Sequence, residues 1–216
     1  AEDLLFVDLE TTGLSRAAGT LAFIIGLGRW DEGGLCVEQL FLRDPGQEHA
    51  ALQRLAQLLD RTRVLISFNG RGFDLPVLRN RAVLARLPLD LERPHLDLLP
   101  PCRRLFRARV DNCRLGTLER QILGYTRQGD VDGAEAPRIY HEFLRSGRMD
   151  EIEHVLRHNR LDVALMAPLC QRVVSHLMDP LHWAEDAEEL LASAEQQLRF
   201  GEPALAEACL RRGLSL

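Results

Sequence analysis

The sequence has no lysine: all 27 of its basic residues are arginine. Coding bias in a GC-rich genome is the plain reading, although arginine brings a planar, bidentate fork to phosphate wherever it clusters. Also missing is any run of 18 apolar residues, which excludes a membrane-spanning helix. The opening AEDLLFVDLE lacks the basic start and small-residue cleavage site of a secretory signal. It also lacks an initiator Met, so the chain reads as a cropped piece. The five cysteines (Cys36, Cys102, Cys113, Cys170 and Cys209) are odd in number and scattered, with no C-x-x-C pair. That argues against a structural zinc site or a disulfide framework and points to a reducing, cytoplasmic setting. Positive charge in excess is missing too. A net charge of −5 excludes a protein that coats nucleic acid by bulk electrostatics.

What is present suits one α/β domain of ordinary size plus a small appendage. The chain has 216 residues, 46% hydrophobic and 27% charged, enough to bury a full core in a water-soluble protein. Charge is unevenly spread. Residues 185–216 carry a balance of −4, leaving −1 for the rest. Within 99–127, seven arginines stand against Asp111 and Glu119. That stretch is either a phosphate-contacting patch or a solvated helical face. Arg103, Arg104 and Arg107 lie within one or two helical turns and are its candidate substrate contacts.

LLFVDLE (4–10) is a short apolar run ending in acids, a strand that delivers its last side chains to a sheet edge. Strands at 21–30 and 35–42 flank the turn DEGG, and the three form an antiparallel meander. Leu52, Leu55, Leu58 and Leu59 mark an amphipathic helix over 48–60. A buried strand (64–70) leads to a helix (73–87) with Pro76 in its first turn, and HLDLL (95–99) is a short strand. Beyond Pro100 the pattern predicts helices at 101–108, 115–123, 137–146, 150–160 and 162–177, with a polar loop at 124–136. The order βββαβα followed by helices predicts an α/β fold with a mixed sheet flanked by helices. After Asp179-Pro180 the chain turns acidic and Ala/Leu-rich. This predicts a domain over 1–180 and a C-terminal helical hairpin over 181–216, broken at Gly201, which either stands alone or starts a set of tetratricopeptide-like repeats.

Asp8 and Glu10 stand at i and i+2 of a strand, so both side chains share one face. Two carboxylates there repel each other and lose solvation; a divalent cation neutralises them, and Mg²⁺ and Mn²⁺ prefer such oxygen ligands. Solvated acids at a frayed strand end would explain the pair taken alone. Two further acids recur in matching contexts. Asp74 follows a buried strand and opens a helix, and Asp162 lies in RHNRLDVALM, four residues after His158. Asp97 in HLDLL is a fifth acid, read mainly as structural, and Phe73 is read as core.

These segments resemble the DEDD (DnaQ-like) 3′→5′ exonuclease superfamily. VDLETTGL (7–14), FNGRGFDLPVL (68–78) and HNRLD (158–162) match its three motifs in order, about 65 and then 88 residues apart. With IIGLG, HLDLL, CRRLF and CRLGTLE, the chain is similar over nearly its whole length to the bacterial YprB-like exonucleases (mitomycin repair factor B). The resemblance implies a ribonuclease-H-like fold and two divalent ions, Mg²⁺ or Mn²⁺, held by Asp8, Glu10, Asp74 and Asp162. It implies DNA as substrate, a role in DNA repair and a helicase as partner. It also implies that Thr11, Thr12, Gly13 and Leu14 line the floor under the terminal nucleotide. Members of the superfamily with a histidine place it five residues before the last Asp; here His158 stands four before, the spacing of members with a tyrosine.

Two ions roughly 3.5–4 Å apart would activate a water and stabilise charge on the scissile phosphate, and His158 would take the water's proton. Asn69 is a candidate hydrogen-bond donor to sugar or phosphate. Two alternatives stay open: an RNA exonuclease of the same fold, since nothing in the sequence reads a 2′-hydroxyl, and a non-catalytic module acting through its helical tail. The first would be separated by matched DNA and RNA substrates, the second by a metal titration.

Overall fold

The structure is a computed structural model that describes residues 3–13 and 19–216. Its centre is β1 (Leu4–Thr11), where Leu5, Val7 and Leu9 are buried on one face. β2 (Ala22–Asp31) pairs antiparallel with β1, and β3 (Gly34–Phe41) pairs antiparallel with β2. The expected meander forms around a two-residue loop in which Asp31 Oδ1 accepts the N–H of Gly33. After α1 (Glu48–Leu59) the chain returns as β4 (Val64–Ser67), parallel to β1. After α2 (Asp74–Leu84), β5 (His95–Asp97) lies parallel to β4. The mixed sheet therefore runs β3-β2-β1-β4-β5. A sheet with β1 at its centre and α/β crossovers beside it presents a crevice beyond the carboxyl ends of its strands.

The chain divides into two compact units. The first comprises Ala1–Asp97 and Arg127–Met166. Its core joins the sheet to Leu52, Leu55 and Leu59 of α1, and to Ile139, Tyr140 and Phe143 of α5 (Ala136–Ser146). Tyr140 stacks on Phe23 at 4.1 Å and donates its hydroxyl to Leu42 O at 3.0 Å, so this large buried ring leaves no polar atom stranded. Burying each such leucine or phenylalanine stabilises the fold by about 1.5–3 kcal/mol.

The second unit comprises Leu98–Thr126 and Ala167–Leu216. It holds α3 (Leu99–Phe106), α4 (Leu115–Gln121), the short α7 (Pro180–Trp183), and the pair α8 (Ala187–Phe200) and α9 (Pro203–Gly213). Gly201 ends α8 at φ 78°, where the sequence placed the break. The fully buried Glu189 is neutralised by Arg109 at 2.7 Å, with Arg172 3.7 Å away. The helices expected at 150–160 and 162–177 are one element, α6 (Asp150–Met178). Neither Gly nor Pro stands between 150 and 167, so nothing breaks the backbone ladder at Asp162. No helix among the described residues is long and apolar enough to cross a membrane.

Candidate active site

Asp8 and Glu10 project from β1 on the face opposite Val7 and Leu9. Across the ladder Asp8 faces Gly26 and Phe6 faces Gly28. A Cβ added at Gly26 would stand 2.4 Å from Asn159 Oδ1, and one at Gly28 would stand 2.7 Å from a methyl of Val163. The two glycines of IIGLG therefore let α6 rest directly on the β1–β2 ladder. The helix turns a fully buried stripe inward: Ile152, Val155, Asn159, Val163 and Met166. His158 and Asp162 each precede a member of that stripe by one position, so they stand on its flank, one turn apart.

Asn159 is a polar residue in an apolar stripe, and it is satisfied at both ends. Its Oδ1 accepts from Gln39 Nε2 and its Nδ2 donates to Asp8 Oδ2, each at 2.8 Å. Asp74 is delivered from the other side. β4 ends at Ser67, three residues before the expected 70, because Asn69 enters the left-handed region at φ 65°. Asp97 at the end of β5 holds that turn, accepting the N–H of Asn69 at 2.7 Å and of Arg71 at 3.0 Å. The turn places Asp74, the first residue of α2, near β1, where the Leu9 backbone N–H favours its charged form.

The electrostatics show how closely these acids are gathered. Asp8 is raised well above the ordinary carboxylate range, by burial first and then by the charges of Asp162, Asp74 and Glu10, while the bond from Asn159 works in the opposite direction. Glu10 is raised likewise by burial and by Asp162, Asp74 and Asp130. Asp74 is pushed up to about 7, chiefly by burial; the N–H groups it binds oppose this, and Asp97 and Asp162 add to it. The four acids that the sequence singles out thus all lie in the first unit, where the Asp162 charge bears on the other three.

Asp162 has a partner that the sequence did not reveal. Arg127, 9% exposed, donates from Nη2 to Asp162 Oδ1 and from Nη1 to Asp130 Oδ2 at 2.9 Å. Asp130 also accepts from His158 Nδ1 at 2.9 Å. Burial works to raise Asp130, but His158 and Arg127 outweigh it and hold it below the ordinary range. Asp130 thus holds His158 at Nδ1, and the other ring nitrogen, Nε2, lies 3.5 Å from Asp162 Oδ2. Arg127 and Asp130 lie in the polar loop 124–136, which has no periodic pattern to read. Asn159 lies inside the third motif, where its uncharged side chain carries no sign of a role in the sequence.

The other expected residues are placed less centrally. Thr11 donates its hydroxyl to Gly13 O at 2.7 Å, and the Thr12 hydroxyl accepts the Leu21 N–H at 3.0 Å, so the T-T-G turn at the end of β1 is internally tied. Leu14 lies outside the described residues. Asn69 is exposed, and Phe73 packs against the core as expected. Arg103, Arg104 and Arg107 are exposed on and just after α3, in the second unit. The seven-arginine stretch is not one patch: Arg109 pairs with Glu185 and Glu189, Arg120 with Asp111, and Arg127 belongs to the first unit. A cavity of about 600 Å³ lies by the opposite end of β1, lined by Asp3, Arg29, Trp30, Arg54 and Arg61 among others, away from the acids.

The donor set is hard carboxylate oxygen, which suits Mg²⁺ or Mn²⁺ rather than a thiolate-seeking ion. Among the described residues, no three of His, Cys, Asp and Glu close around one point in this conformation. The chemistry of the donor set, four carboxylates on β1, α2 and α6 with Asp8 held by Asn159, is what fits such an ion.

A five-stranded mixed sheet with acids gathered at the end of its central strand is the arrangement of a ribonuclease-H-type nuclease. The chain belongs to the RNase H superfamily, whose profile matches residues 5–174. It is 35% identical over 195 residues to the uncharacterized protein YprB of Bacillus subtilis (strain 168); the match covers 89% of this chain and 47% of that protein, so the chain spans about half the relative's length. Its fold is shared with the family B DNA polymerase of the hyperthermophilic archaeon Pyrobaculum calidifontis, at a TM-score of 0.60 and 14% identity over 92% of this chain and 29% of the polymerase. It is shared with Brucella melitensis NrnC bound to pGG, at 0.52 and 18% over 97% of this chain and 80% of that one. The zinc-bound E. coli ExoI–ssDNA complex is similar at 0.51 and 16%, over 88% of this chain and 44% of that one.

Proposed function

We propose that this chain is a metal-dependent 3′→5′ exonuclease that hydrolyses phosphodiester bonds of DNA. The observation that carries the reading is the placement of Asp8, Glu10, Asp74 and Asp162 from one strand and two helices, with the charges of Asp162 and Asp74 bearing on both Asp8 and Glu10. Members of a superfamily of divalent-metal nucleases have a use for such a cluster. Asp8, Glu10, Asp74 and Asp162 would hold two divalent ions, Mg²⁺ or Mn²⁺. When bound, these supply positive charge to the scissile phosphate and acidify a water. Asp8 is pre-aimed by Asn159, and Asp74 by the turn that Asp97 holds. His158, oriented through Nδ1 by Asp130, takes the attacking water's proton at Nε2. The turn Thr11–Gly13, and Leu14 after it, receives the terminal nucleotide.

DNA as substrate is favoured by likeness to an exonuclease described with single-stranded DNA and to a DNA polymerase. A place in DNA repair, with a helicase as partner, rests on the resemblance to YprB-like exonucleases. The test is digestion of 5′-labelled single- and double-stranded DNA, and of matched RNA, with Mg²⁺, Mn²⁺ or EDTA. A ladder shortening from the 3′ end is expected with metal and not with EDTA or in Asp8→Asn. Preference for RNA would turn the reading to a ribonuclease, and no cleavage of any substrate would overturn it.

A further inference from the structure

Arg127 is buried among acids. Its guanidinium touches Asp162 and Asp130 and lies 3.3 Å from His158 Nδ1. Asp162 in turn bears on Asp8, Glu10 and Asp74 through its charge. Among the described residues, Arg127 is set against two carboxylates, Asp162 and Asp130, with Asp8, Glu10 and Asp74 within reach of the Asp162 charge. The Asp162 oxygen that binds Arg127 Nη2 is also one that a metal at this carboxylate would compete for.

We propose that Arg127 exchanges partners: in the metal-free chain it occupies Asp162 in competition with a divalent cation, and in the loaded site it binds a phosphate of the nucleic acid. This rests on the reading of the acidic cluster as a metal-dependent nuclease centre. Displaced from Asp162, the guanidinium stays tethered by Asp130 beside His158, with one carboxylate fewer against it. The anion that the substrate brings is a phosphodiester, whose paired oxygens match the guanidinium fork. The arginine lies in a loop containing the left-handed glycines Gly124 and Gly129, and a swing of its side chain needs no movement of the sheet.

One substitution tests both halves, because they carry opposite signs. Mn²⁺ is titrated by calorimetry into the wild type, Arg127→Gln and Asp8→Asn. Binding of a single-stranded oligonucleotide with a cleavage-resistant phosphorothioate 3′ end is followed by anisotropy at saturating Mn²⁺. Arg127→Gln should bind Mn²⁺ on the order of tenfold more tightly, and the oligonucleotide on the order of tenfold more weakly, one charge-assisted contact being exchanged in each case. A merely structural arginine would weaken both, and that result, or unchanged Mn²⁺ affinity, overturns the proposal. If Arg127→Gln is unfolded by circular dichroism, Arg127→Lys, which keeps the charge and loses the fork, should shift both affinities in the same directions by less; no shift overturns the proposal. If Mn²⁺ binding is undetectable or insensitive to Asp8→Asn, the metal-centre reading itself fails. If it depends on Asp8 but not on Arg127, only the partner exchange fails.

Discussion

Asp74 in the folded chain keeps its proton up to about 7, whereas in the unfolded chain it ionises near the ordinary value of 3.8. Between those values unfolding releases a proton, so the metal-free fold loses stability as pH rises from about 4 to about 7, by up to about 4 kcal/mol for this group. Asp74→Asn keeps the size and polarity of the side chain and removes the charge. In EDTA its Tm should exceed the wild type's by about 5–10 °C at pH 8, and match it within about 2 °C at pH 4. Calorimetry at the two pH values checks this, and an equal difference at both would show that charge is not the cause. His158 makes a second claim at this scale. His158→Ala should lower the cleavage rate by about 10²–10⁴ while Mn²⁺ binding survives; single-turnover rates within threefold of wild type would make the ring structural. The four acids were legible as a group because their three motifs follow one another in order, whereas His158, four residues before Asp162, was legible only from the helical turn between them. Asp130 and Arg127 were not, because a loop of mixed polarity gives no sign of which charges turn inward.

At the scale of elements, the site depends on how closely α6 approaches the β1–β2 ladder. Gly26→Ala places a methyl against Asn159 and Val163 and forces the helix to give way. Overpacking of this kind costs about 1–3 kcal/mol, and a shifted Asp162 should lower activity at least tenfold, since an ångström of misplacement costs about a hundredfold. Gly116→Ala in α4 is the contrast, with nothing within 4 Å of the added carbon; it should be neutral or slightly stabilising and leave activity unchanged. Thermal melts and rates of the pair check the claim, and equal behaviour of the two variants would refute it. The β1–β2–β3 meander, α1, α2 and α5 followed from periodicity and turn residues. The division of α6 at Asp162 did not hold, because an acid that looks like the start of a helix sits mid-helix with its partners across the site. The early end of β4 was hidden because the left-handed turn at Asn69 depends on Asp97, 28 residues away.

At the scale of the whole chain, the mixed sheet and its superfamily were readable from element order and motif spacing, while the division into two units that each draw on separated segments was not. Cα proximity, not sequence continuity, joins Leu98–Thr126 to Ala167–Leu216. Charge bears on substrate binding at this scale as well. With −5 overall, attraction to nucleic acid must come from local arginines. Besides Arg114, the exposed Arg103, Arg104 and Arg107 are the candidates left within 99–127 once Arg109, Arg120 and Arg127 are assigned to carboxylates. Replacing all three with Gln should weaken single-stranded DNA binding and flatten its dependence on salt by up to about 2 units of slope. An unchanged slope would make them a solvated surface.

The carboxamide of Asn159 has a practical consequence. It is fully buried, with one side fixed by Gln39 and the other hydrogen-bonded to Asp8. Its two amide protons therefore sit in different surroundings, shielded from exchange with solvent, and one of them reports directly on the electron density of an Asp8 oxygen. In a ¹⁵N spectrum that side-chain pair is a resident probe of whatever occupies the acidic cluster, readable without labelling the substrate and without turnover.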